Sequence, residues 1–104
     1  MHIVIFITAS NKKEAKRLAQ GLIRKKLAAC VNIVDGLTSL FWWQGKIDKA
    51  KETLLVVKSR KAKLAKIMAC VKAMHSYEVP EIIALPIVGG NSAYLKWIDS
   101  SLEV

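Results

Sequence analysis

The chain predicts an α+β fold, ferredoxin-like βαββαβ with a C-terminal helix, on three observations. Short β-branched apolar runs alternate with longer stretches whose apolar residues recur every three or four positions. Gly and Pro are sparse, and no linker, repeat or low-complexity tract interrupts the 104 residues. That length supports one domain, residues 1–104, around a single core.

Each element has a local reason. Residues 2–8, HIVIFIT, read as a strand buried on both faces. Asn11 and Glu14 are spaced as a capping box, with the side chain of each reaching the other's backbone amide. Ala15, Leu18, Ala19, Leu22, Ile23 and Leu27 then mark one helical face, so the first helix is expected over 11–27. Residues 28–34 and 37–43 are extended, with Asp35-Gly36 between them as an expected turn, because both residues tolerate positive φ. Gln44-Gly45-Lys46 supplies a second turn or bulge before a strand at 52–58.

Ser59 is placed to cap a second helix whose apolar face holds Leu64, Ile67, Met68, Val71 and Met74. A strand follows at 82–85, and Pro86 puts its end at a sheet edge or bulge. Asn91 can cap a last helix carrying Tyr94, Leu95, Trp97, Ile98 and Leu102. With both main helices on one sheet face, the other face needs cover. Apolar residues on both sides of the central strands therefore point to an oligomer.

Composition narrows the function classes. The hydrophobic share is 53% and no apolar run approaches the roughly 20 residues of a membrane span. Met1-His2-Ile3-Val4 lacks a basic n-region and a cleavage site, so the expected location is the cytoplasm, with no membrane partner. Cys30 and Cys70 belong to no CxxC pair and are expected as free thiols; Cys30, among Ala28, Ala29 and Val31, reads as a small buried hydrophobe. The formal charge of +9 favours anionic partners, but the basic residues fall on the polar sides of amphipathic patterns. The aromatic residues are not interleaved with them, so nucleic acid ranks last among the partners.

Chemistry concentrates in one loop. His75-Ser76-Tyr77-Glu78-Val79-Pro80-Glu81 places an imidazole, a phenol and two carboxylates within seven residues. His75 continues an apolar helical face at its C-terminal end, which suits a capping histidine bonded to backbone or to Glu78, or else a metal ligand. Tyr77 can pack its ring and bond its hydroxyl, and Glu81 after Pro80 directs a charge toward a sheet end. Trp42 and Trp43 face opposite sides of a strand, as interface or ligand contacts, whereas Glu52 and Lys58 share a face. Gly89-Gly90 lacks the rest of a phosphate loop, and no nucleophile–base pair can be argued from spacing, so no enzymatic activity is expected.

The segments LAACVNI, LFWWQGKI, HSYEVPEI and YLKWI, with Glu52 and Lys58, resemble the CutA family, named for divalent-ion tolerance, along nearly the whole chain. The resemblance implies a ferredoxin-like protomer in a tight homotrimer, with long hairpin strands pairing across subunits. It also implies a cytoplasmic protein linked to copper and other divalent ions, similar in architecture to trimeric nitrogen-regulatory proteins that bind small anions. Some members are thought to bind copper through a first-strand cysteine and two adjacent histidines; here those positions hold Ile7 and Met74, leaving His75.

The expectation is thus a non-enzymatic trimer whose intersubunit cleft is lined by Cys30, Trp43, Glu52, Lys58, Tyr77, Glu78 and Glu81. His75 would be the metal ligand, a divalent ion such as copper the one implied cofactor, and Lys58 the attractor of an anion. The alternative is a small-anion-responsive signalling trimer that is not primarily a metal binder.

Overall fold

The computed structural model describes residues 1–103. Its elements run β1 (His2–Ala9), α1 (Lys12–Arg24), β2 (Cys30–Trp43), β3 (Lys46–Arg60), α2 (Leu64–Met74), β4 (Ile82–Pro86) and α3 (Ser92–Leu102). A 3-10 turn over Lys61–Lys63 leads into α2. The four strands form one antiparallel sheet in the order β2-β3-β1-β4, the ferredoxin-like order. Among the described residues no helix is long and apolar enough to cross a membrane.

Alternation along the strands assigns the two faces. Ile3, Ile5 and Ile7 of β1 and Leu55 and Val57 of β3 are buried beneath Ala15, Leu18 and Leu22 of α1 and Ile67 and Val71 of α2. Cross-strand pairing puts Val4 and Phe6 with Lys58 and Val56 on the opposite face. There α3 covers one end through Ile98 and Leu102, while Val34, Ile83 and Leu85 stay 45–50% exposed.

Local chemistry sets the boundaries, and four differ from the sequence reading. Helix α1 stops at Arg24 because Lys26, with φ 59°, takes the left-handed position of a Schellman cap. Its N–H bonds the Ile23 carbonyl and that of Leu27 the Leu22 carbonyl. Asp35-Gly36 is not a hairpin turn but a bulge inside β2, where the register shifts and Gly36 has φ 79°. The hairpin closes at Gln44-Gly45, with φ 51° and 76°, so β3 begins at Lys46 and runs 15 residues. Ser59 caps no helix either; it lies buried in β3 and donates to the Leu27 carbonyl at 2.6 Å.

The capping box forms by half. Asn11 Oδ1 accepts the Glu14 N–H at 2.8 Å, but the Glu14 carboxylate turns to Ser10 and Ser76. Asn91 does cap α3, accepting from Ala93 N–H at 3.0 Å.

One consequence positions the site. β1 pairs with β3 only as far as Ala9 opposite Thr53, so beyond it β2 and β3 continue as a free two-stranded ribbon. Leu40, Trp42, Trp43 and Ile47 on this ribbon are 59–75% exposed.

Candidate functional site

A cleft of about 780 Å³ opens where the ribbon leaves the sheet and the loop after α2 passes it. The sheet supplies Thr8 and, at alternate positions, Ser39, Phe41 and Trp43 from β2 and Asp48, Ala50 and Glu52 from β3. The loop supplies Tyr77, Glu78, Val79 and Glu81. Four carboxylates and three aromatic rings thus face one space, and among the lining residues there is no Lys, Arg or His. In a chain of net charge +9, that segregation makes the cleft a local well for positive charge.

The loop is held by polar bonds to three elements. Tyr77 Oη donates to Glu52 Oε2 at 2.8 Å, tying loop to sheet. Burial first, and then the bond to Glu52 and its charge, push the Tyr77 hydroxyl up to about 12, so it stays protonated as a donor. Glu14, 5% exposed, accepts from Ser10 N–H and Oγ at 2.9 Å and from Ser76 N–H at 2.8 Å. Burial alone would raise its carboxyl; the bonds from Ser10 and Ser76 outweigh it and bring the group down to about 2.

His75 is bonded to backbone on both sides of its ring. Its side chain is fully buried. Nδ1 accepts the Tyr77 N–H at 3.0 Å, which leaves Nε2–H to donate to the Thr8 carbonyl at 2.7 Å. Both nitrogens are engaged with backbone, and no lone pair faces the cleft. The arrangement makes His75 the clamp of the loop onto β1, with its ring 4.7 Å from that of Tyr77. These bonds match the capping reading, with the Thr8 carbonyl rather than Glu78 as acceptor.

The other expected residues divide into two groups. Trp43, Glu52, Tyr77, Glu78 and Glu81 meet in the cleft. Cys30 and Lys58 are cross-strand partners at the other end of β3, about 20 Å away by strand rise. Lys58 Nζ donates to Asn32 Oδ1, and half-buried Cys30 sits beside Tyr94 of α3, whose hydroxyl is raised by burial and by the neighbouring thiol. Both cysteines are free. Within the single chain these two groups do not share a site. Among the described residues no three His, Cys, Asp or Glu side chains cluster closely enough to hold a metal ion.

Sequence reasoning missed Thr8, Ser39, Phe41 and Asp48. Period-two counting from Trp43 and Glu52 would have found the last three, since 39, 41 and 43, and 48, 50 and 52, share one face.

Comparison with known proteins gives concordant findings. The family model described as CutA1 divalent ion tolerance protein matches residues 3–101. The chain is 52% identical over 99 residues to "Protein CutA 1, chloroplastic" of Oryza sativa subsp. japonica, covering 95% of this chain. It spans only 56% of that relative's length and 54% of the Arabidopsis thaliana relative's. It is 50% identical over 103 residues to the "Divalent-cation tolerance protein CutA" of Archaeoglobus fulgidus, covering 99% of this chain and 100% of that one. The solved structure of the periplasmic divalent cation tolerance protein CutA from Archaeoglobus fulgidus superposes with a TM-score of 0.96 at 50% identity, over 99% of this chain and 100% of the other. The rice crystal structure gives 0.94 at 51% identity, over 96% and 92%.

Proposed function

The chain belongs to the CutA1 divalent ion tolerance family, and on that premise we propose that it binds a divalent cation in the acidic cleft of a homotrimer. One observation carries the reading: Asp48, Glu52, Glu78 and Glu81 line a cleft without a basic side chain on a strongly basic chain. Carboxylate and carbonyl oxygens suit hard cations, whereas copper gains most from imidazole or thiolate ligands. With His75 turned to backbone, the cleft favours a hydrated divalent ion held by carboxylates over a tightly coordinated copper.

The carboxylates are spread across the cleft, so one chain supplies attraction more than a closed coordination shell. Trimerisation would supply the remaining donors and cover the exposed ribbon. Binding of the ion would be sensed through the Tyr77–Glu52 contact, because Glu52 serves both the cleft and the loop. The small-anion reading has less behind it: Lys58 lies outside the cleft and is occupied by Asn32.

Isothermal titration with manganese(II) and with copper(II) tests this. The double variant Glu52→Gln, Glu81→Gln is expected to weaken manganese binding at least about tenfold, or about 1.4 kcal/mol. Equal affinity in the variant and the unaltered protein would sink the proposal.

A further inference from the structure

Charge is divided between the two sheet faces. The helical layer opposite the cleft exposes Lys12, Lys13, Lys16, Arg17 and Arg24 on α1. At 100° per residue these five fall within an arc of about 140°. The adjoining turn and α2 add exposed Lys61, Lys66 and Lys72. Residues 12–26 hold a single acidic side chain, Glu14, which is buried, and residues 61–74 hold none. The acidic residues Asp48, Glu52, Glu78 and Glu81 gather instead around the cleft on the other side.

Such a face has a cost. Lys12 with Lys16, and Lys13 with Arg17, are like charges four apart that repel; Asp35 near Lys12 and the Glu14 carboxylate 3.8 Å from Arg17 relieve one member of each pair, leaving Lys13 and Lys16 without one. Arg17 reaches the Met74 carbonyl at 3.1 Å and Lys25 the Cys70 sulfur at 3.6 Å, stitching α1 to α2. Lys12, Lys13, Lys16, Arg24, Lys66 and Lys72 enter no ion pair among the described residues. A basic layer with so few counter-charges is stabilised by a polyanion.

We propose that the α1–α2 face docks the phosphate backbone of a duplex nucleic acid, without base preference. Two observations select this occupant. No aromatic residue lies in 10–26 or 61–74, so there is nothing on which single-stranded bases could stack. Ile23, 42% exposed, is the one large apolar side chain that this face exposes among the described residues, so little could enter a lipid interface. The 13 residues of α1 span about 20 Å, roughly six base-pair steps, enough for several Lys–phosphate contacts along one strand.

The test is fluorescence anisotropy with the intact protein and a labelled duplex DNA of about 20 base pairs, across a salt series starting near 50 mM. Parallel arms use the single strand and phosphatidylcholine–phosphatidylserine vesicles. The proposal expects duplex binding with a log K against log salt slope steeper than about −3. The triple variant Lys12→Glu, Lys16→Glu, Arg24→Glu should lose at least about tenfold in affinity at the lowest salt, while Lys46→Glu, Lys49→Glu on the ribbon stays within about twofold. Absent or salt-independent duplex binding would overturn it. Equal losses in both variants, or binding to vesicles or single strands in preference to duplex, would overturn it too.

Discussion

At the scale of single residues, two buried polar side chains hold the site, and neither is exposed to a ligand. Glu14 has its carboxyl brought to about 2 from an ordinary 4.5. A depressed carboxylate contributes stability above its unfolded value and loses it as pH falls toward the folded one. The contribution is about 3 kcal/mol at neutral pH and disappears between roughly pH 5 and pH 2. Glu14→Gln should therefore be less stable than the unaltered protein at pH 7 and lose less stability on acidification in urea titrations. Parallel acid limbs for the two proteins would refute this role.

His75 offers a second residue-scale prediction. His75→Ala removes two hydrogen bonds to backbone and a fully buried ring, at a cost of about 2–4 kcal/mol in chemical denaturation. The same loss is expected in excess chelator and in added copper(II). A loss seen only with metal present would mark His75 as a ligand.

At the scale of elements, much was legible. The strand–helix alternation, the Asn91 cap and the loop bearing Tyr77, Glu78 and Glu81 all stand where local patterns put them. The failures share a cause. Asp35-Gly36 signals positive φ, but bulges and turns use the same signal, and only the pairing of β2 along its whole length with β3 decides between them. Ser59 has the chemistry of a cap, yet its hydroxyl is claimed by the Leu27 carbonyl from another segment. The bond from Tyr77 to Glu52 joins positions 25 apart, a distance at which no local spacing rule applies.

The early end of α1 yields an element-scale prediction. Lys26 occupies the left-handed cap position where Gly is unstrained. Lys26→Gly should stabilise the protein by about 0.5–1 kcal/mol, read as a raised denaturation midpoint with unchanged slope. A lowered midpoint would mean that the lysine side chain holds the cap through contacts of its own.

At the scale of the whole molecule, the ribbon dominates. The Cα radius of gyration is 14.3 Å, above the roughly 13 Å of a compact chain of this length, and the longest extent is 45 Å. A two-stranded ribbon is marginal in water unless something packs on it, and this one exposes Trp42, Trp43, Leu40 and Ile47. The proposed homotrimer provides that packing. Light scattering should give a mass near three copies of 11.6 kDa, about 35 kDa, and Trp42→Ser with Ile47→Ser should shift the protein toward monomer. A monomeric mass for the unaltered protein at micromolar concentration would remove the trimer from the mechanism.

The central claim is a divalent cation in the acidic cleft, and paramagnetic broadening by manganese(II) locates such an ion directly. In an amide-resolved NMR titration, the signals of Asp48, Glu52, Tyr77, Glu78 and Glu81 should broaden first, with the helical layer untouched. Broadening that begins elsewhere, or none at millimolar manganese, would contradict the cleft as the cation site.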